Sequence, residues 1–147
     1  NFFIHNIHMK KFWRLYWNSL HYLSYLYKPI HKIQVIKLIN KMKTNGIKCC
    51  KCRTHFIKFT NNYNIYNYLN NKNDLIKYFL ILHNNINKNN FSIQDLNKLY
   101  INFNDNELKS YGIDIKLLLN MNKLEKLPDI INTTVYYRLL IEQNKLN

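Results

Sequence analysis

The chain has 147 residues with 22 Lys and Arg against 8 Asp and Glu, a formal charge of +14, which bounds it to one or two small domains. At 47% hydrophobic and 15% aromatic residues it carries enough apolar surface for a packed core, which excludes a purely solvated tail, and no apolar run approaches the roughly 18 residues needed to span a bilayer. Asn occurs 26 times, Lys 19 times, Arg 3 times and Ala never; this skew follows A- and T-rich codons and accumulates Lys whatever the partner, so the charge allows a nucleic-acid partner without favouring one.

Hydrophobic periodicity is helical nearly throughout. Trp13, Trp17, Leu20, Ser24 and Tyr27 recur at three- and four-residue steps, predicting a first helix over about residues 11–27. Pro29 stops it and suits the first turn of a second helix striped by Val35, Leu38, Ile39 and Met42, which Asn45-Gly46 closes with residues that tolerate a left-handed backbone. A third helix opens at the cysteine cluster and runs over about 49–59, and Asn-rich residues 61–73 read as a loop with one helical turn. Leu75, Phe79, Leu82 and Ile86 mark a fourth helix, Ser92 caps a short fifth ending near Tyr100, and residues 113–127 and 130–140 read as two further helices separated by Pro128.

No strand pattern or internal repeat competes with this all-α reading. Charge marks a boundary: residues 1–100 hold 16 basic and 2 acidic side chains, whereas residues 101–147 hold 6 of each. A basic domain over 1–100 followed by a neutral helical C-terminal extension over 101–147 is expected.

The three cysteines, Cys49, Cys50 and Cys52, lie within four positions, so they cannot staple distant segments and must serve chemistry. Cys49 and Cys52 span one turn at a helix N-terminus, where the helix dipole and Lys48, Lys51 and Arg53 favour a thiolate. A redox pair leads, against a zinc site using these sulfurs with His55 and a remote His, and against inert thiols. No metal site is expected, because no second ligand pair occurs at regular spacing. Cys50 is expected to point into the core as a small hydrophobe, ahead of the alternative that it forms a mixed disulfide.

Two further constellations stand beside the cysteines. In Arg14-Leu15-Tyr16-Trp17-Asn18-Ser19-Leu20-His21, Trp17 and His21 share a helix face; in His83-Asn84-Asn85-Ile86-Asn87, so do His83 and Asn87. Alone, each reads as readily as core or surface.

Together and in this order, the three motifs resemble the Erv/ALR family of FAD-dependent sulfhydryl oxidases. That family's pattern is Arg-x-x-Trp-x-x-Leu-His on the first helix, Cys-x-x-Cys opening the third and His-Asn-x-Val-Asn on the fourth, with Ile86 here for Val. The compact form, with His55 three residues after the second cysteine, is similar to members carried by large DNA viruses. The resemblance implies a four-helix bundle with a short fifth helix, holding FAD at one end. It implies that Trp17, His21, His83, Asn84 and Asn87 cradle the adenine and ribose side and that Arg14 lies near the phosphates. It also places Cys52 beside the isoalloxazine, kept ionised, and makes Cys49 the outer, substrate-facing sulfur. His55, Lys88 and Tyr100 complete the expected cofactor set.

Three departures stand out: Trp13 replaces the Gly before Arg-x-x-Trp, Lys88-Asn89-Asn90 shortens the segment after the His-Asn motif, and Tyr100 stands for a Trp that packs on the adenine. The expected activity passes electrons from a substrate dithiol through Cys49 and Cys52 to FAD and then oxygen, giving hydrogen peroxide. No cysteine remains for the mobile relay pair of cellular relatives, which implies a relay on a thioredoxin-like or CxxC-bearing partner. A homodimer is expected, in the cytoplasm or virion if viral and in the mitochondrion if organellar. The rival reading is the same fold retained as a structural or RNA-associated subunit.

Overall fold

Eight α-helices follow from that apolar patterning in the computed structural model, which describes residues 2–47, 49–98 and 105–146, without the side chains of 2–9, 11 and 146. They are α1 (Phe2–Leu26), α2 (Lys32–Lys41), α3 (Cys50–Asn62), α4 (Lys72–Asn87), α5 (Ile93–Leu96), α6 (Asn106–Ser110), α7 (Ile115–Asn120) and α8 (Leu127–Leu146). No strand occurs among the described residues, so the fold is all-α. No helix of the described residues is long and apolar enough to cross a membrane.

Local chemistry sets the helix ends. Pro29 opens a 3-10 turn, Pro29–His31, that leads into α2, where its missing N–H costs nothing. Asn71 caps α4 by accepting the Asp74 N–H at 2.9 Å. Ser92 and Asp95 form a reciprocal capping box on α5, with Ser92 N–H to Asp95 at 2.9 Å and Asp95 N–H to Ser92 Oγ at 3.1 Å. The Asn-rich loop contains one 3-10 turn, Ile65–Tyr68.

α1 is the central element, packed on α4 and on α8. Its Phe12, Tyr16, Leu20 and Leu23 are fully buried, and one continuous core joins them to Leu38 of α2, Phe56 of α3 and Phe79 of α4. The same core takes in Leu108, Ile113, Ile115, Leu119, Leu127, Ile131 and Val135. Residues beyond 104 therefore share the bundle's core and cover one flank of it.

Polar contacts reinforce that junction. Gln34, on α2 and buried, donates to the Leu119 carbonyl at 3.0 Å and accepts the Leu124 N–H at 3.4 Å. Tyr16 and Asn132 both donate to the Gly46 carbonyl, at 3.0 and 3.1 Å.

Three local expectations change. Pro128 does not separate two helices: it is the second residue of α8, a position where proline is pre-organised for the helix. The run 113–127 is instead interrupted after α7 by a turn in which Asn122 takes φ 57°, a left-handed conformation that Asn tolerates. Gly46 ends a π-turn, Met42–Gly46, but not for handedness, since Gly112 is the one glycine at positive φ, 78°. A Cβ on Gly46 would meet the Lys41 carbonyl oxygen and the Pro128 Cβ, each at 3.0 Å. Close approach of α8 is what requires a glycine there.

Candidate redox site

The i, i+4 spacing on α1 stacks Trp13 on Trp17, with centroids 5.1 Å apart and planes 26° apart. His83 of α4 lies against Trp17 at 4.2 Å with an interplanar angle of 11°. His21, one turn on from Trp17, meets His83 through Nε2 and Nδ1 at 2.9 Å. Phe91 closes the far side of His83 edge-on, at 5.4 Å. These rings form a buried aromatic platform where α1 crosses α4: Trp17, His21 and His83 are 4%, 1% and 3% exposed.

Both histidines are held neutral. Burial, with the neighbouring His83, pushes the His21 imidazole down to about 3; burial pushes His83 down to about 4. The Trp17 indole N–H is buried and has no hydrogen-bond partner among the described residues, an unsatisfied donor of a kind that native interiors rarely leave.

Asn84 does not face the rings. Its side chain grips the backbone of Phe91, donating to the carbonyl and accepting the N–H, both at 3.0 Å. It thus folds the chain back after α4, whose end is marked by Lys88 at φ 55°, and presents Phe91 to His83.

The cysteines lie at the start of α3. Cys49 is its N-cap, and its sulfur accepts the Cys52 N–H at 3.4 Å. Both thiols are free and half-buried. Burial raises the Cys49 thiol, but hydrogen bonds from the Cys52 thiol and from the Cys52 and Lys51 N–H groups outweigh it, so the net shift is downward.

Cys52 goes the other way, up to about 11, through burial and through donating its proton to Cys49; a hydrogen bond with the Trp13 side chain opposes the rise. Within the reduced pair, Cys49 is therefore the sulfur that ionises first and Cys52 the one that keeps its proton longer. The expectation of an ionised Cys52 concerns the sulfur beside the cofactor; in the protein alone the order is the reverse. Helix-terminal N–H groups reach the capping sulfur, whereas Cys52 sits one turn in against the core.

Cys50 is also corrected. It is exposed, with the Arg53 guanidinium 3.8 Å from its sulfur. As the first residue of α3 it is turned about 100° per residue away from its neighbours in the pair, which carries it off the bundle.

The remaining described members of the expected cofactor set lie at the surface. Arg14 is mostly exposed and pairs with Glu107 of α6, in a cleft also lined by Tyr111 and Arg138, so the extension takes the cation expected near the phosphates. His55, Asn87 and Lys88 are exposed. Tyr100 lies outside the described residues. Among the described residues no group of three or more His, Cys, Asp or Glu is placed to hold a metal.

Trp13 and Phe91 are the site residues that the sequence motifs did not assign. The signal for Trp13 was its four-residue offset from Trp17; for Phe91 there was none, because the contact depends on the turn that Asn84 makes.

The residues present fit a planar nucleotide cofactor in kind. The rings are flat and aromatic, the Trp17 N–H is an unused donor, and the imidazoles are uncharged.

Against known proteins, a family model described as Erv1 / Alr family matches residues 14–104. No curated protein and no solved structure matches the chain.

Proposed function

Because the chain belongs to the Erv1/Alr family, a family of sulfhydryl-oxidase type whose members typically bind FAD, we propose that it is an FAD-dependent sulfhydryl oxidase that forms disulfides in partner proteins. What supports this reading is the Cys49–Cys52 pair at the start of α3, with the Cys49 sulfur accepting the Cys52 N–H at 3.4 Å, in a chain that also stacks Trp17 on His83.

A substrate thiolate attacks the Cys49 sulfur of the oxidised pair, and Cys52 leaves as a thiol or thiolate. A second substrate thiol then resolves the mixed disulfide, so the substrate loses two electrons and the pair gains them. Bound FAD would supply the two-electron acceptor that returns the pair to the disulfide and delivers the electrons to oxygen, giving hydrogen peroxide. Trp17 and His83 would line its site, with His21 fixing the His83 ring through the 2.9 Å contact.

The protons have assigned places. Cys49 leaves its resolving step as the ionised sulfur, stabilised by the α3 N–H groups, while Cys52 carries the proton that must depart before it can transfer electrons. The proposal includes a dithiol substrate or a CxxC-bearing relay protein as partner, and a homodimer as the working unit. Oxygen consumption with dithiothreitol tests it: flavin-loaded protein is expected to consume oxygen and release hydrogen peroxide, and flavin-loaded protein that consumes none overturns it.

A further inference from the structure

The cysteine pair opens onto a strip of cations with no carboxylate among them. Residues 1–73 hold 13 basic and no acidic side chains, the first carboxylate of the chain being Asp74. Where this segment finds a counter-charge, the extension supplies it: Arg14 pairs with Glu107 and Lys41 with Asp129. Beside the sulfurs the cations have none. Among the described residues Lys51, Arg53 and Lys58 of α3 form no ion pair; Lys51 and Lys58 are exposed and Arg53 is half-buried.

Their placement follows from the helix. At about 100° per residue, Cys50, Lys51, Thr54 and Lys58 share the outward face of α3, opposite the buried Phe56 and Phe59. Arg53 stands at its edge with the guanidinium 3.8 Å from the Cys50 sulfur, and Lys51 acts electrostatically on Cys49. From Lys51 to Lys58 the rise along the axis is about 10 Å, the span of about three extended residues.

We propose that this α3 strip is the docking surface of an acidic dithiol partner, a polypeptide with Asp or Glu within about three residues of its reactive cysteine, whose carboxylates meet Lys51, Arg53 and Lys58 while its thiolate reaches the Cys49 sulfur. This surface rests on the oxidase reading for its thiol exchange and not for the flavin. Nucleic acid would meet the same charge, but the strip borders a sulfur pair, and a partner that uses both features must bring a thiol as well as anions. The exchange balances by itself: two partner thiols become one disulfide, the Cys49–Cys52 disulfide becomes two thiols, and two electrons and two protons pass from partner to pair. Because the attacking group and its flanks are anionic, the cations raise the partner's local concentration at the sulfur. An exposed ion pair is worth about 1.5- to 5-fold, and three together about tenfold at low salt.

The experiment uses the full chain, oxidised at Cys49–Cys52 and kept from air, with Cys-x-x-Cys peptides flanked by Glu, Gln or Lys. Peptide oxidation is followed by acid quenching, alkylation and mass spectrometry. Each rate is divided by that of the same peptide with hydroxyethyl disulfide, which removes differences in thiol ionisation. The Glu peptide is expected to react about tenfold faster than the Gln peptide at low salt and the Lys peptide more slowly than either. The preference should vanish in about 1 M NaCl, where the screening length is about 3 Å. The triple variant Lys51→Gln, Arg53→Gln, Lys58→Gln is expected to lose most of the Glu-over-Gln ratio, a comparison within one protein that a change in basal exchange does not disturb. Equal Glu and Gln rates at low salt, or a triple variant that keeps the parent's ratio, overturns the docking surface; equal rates together with single-stranded RNA binding that the triple variant loses would assign the strip to nucleic acid instead. If the ratio holds but flavin-loaded protein consumes no oxygen, the oxidase reading fails and the surface stands. Oxygen consumption with dithiothreitol alongside equal peptide rates removes the surface alone, and a chain that oxidises no peptide overturns both.

Discussion

Acid should unfold this protein through two buried imidazoles. His21 and His83 are 1% and 3% exposed and touch at 2.9 Å, and one ring must donate while the other accepts, so the contact requires at least one neutral ring. Their folded values are about 3 and about 4, against roughly 6.5 in an unfolded chain. Because folding depresses both, their contribution is fully present above about pH 6.5 and is lost as pH falls from there toward the folded values. At pH 5 the unfolded chain has bound nearly one proton at each site and the folded chain almost none.

Each histidine then costs about 2 kcal/mol relative to pH 7.5, and the pair about 4 kcal/mol. Against a total stability of roughly 5–15 kcal/mol, that is a large fraction. Half-buried His31, also lowered by burial and by Lys28, acts in the same direction, whereas carboxylates titrate mostly below this window. The assay is urea unfolding at pH 7.5 and 5.0, monitored by Trp emission. The parent midpoint should fall by at least about a quarter, and His83→Gln should lose about half as much free energy between the two pH values. A parent midpoint that does not move with pH, or a His83→Gln chain with the parent's full pH slope, would refute the reasoning.

Further expectations concern the catalytic pair, the junction and the turn after α4. Cys52→Ser should abolish oxygen consumption with dithiothreitol while flavin remains bound; turnover at the parent rate would remove Cys52 from the pathway. Gly46→Ala forces the Lys41 carbonyl and Pro128 apart from 3.0 Å contacts and should destabilise by about 1–3 kcal/mol, read as a lowered Tm; an unchanged Tm would deny the close approach. Asn84→Ala leaves the Phe91 N–H and carbonyl without their partners and should cost about 1–3 kcal/mol. Faster hydrogen exchange near Phe91 is the check, and parent-like protection there contradicts it.

What could be read from the sequence was whatever depends on spacing along one helix. Trp17 and His21, and His83 with its position on α4, follow from the 3.6-residue period, as does the opening of α3 at the cysteines. What escaped depends on neighbours distant in the chain. Arg14 carries a family motif, yet Glu107, 93 residues away, claims it. Gly46 resembled a helix stop, but its reason is the passage of α8. Pro128 resembled a breaker because a proline at a helix start and one between helices look alike until the following turn is seen. The charge step near residue 100 separated surface compositions, while the apolar residues on both sides entered one core. Proton placement within the cysteine pair was likewise out of reach, since it turns on which sulfur caps the helix and which is buried beneath it.

The central claim, that this bundle works on thiols through a flavin, is tested most directly by the visible spectrum of the purified chain. The account predicts a yellow protein, as isolated or after reconstitution, that bleaches when dithiothreitol is added without air and releases FAD on denaturation. A colourless chain that takes up no flavin on reconstitution would contradict it and return the fold to a structural role.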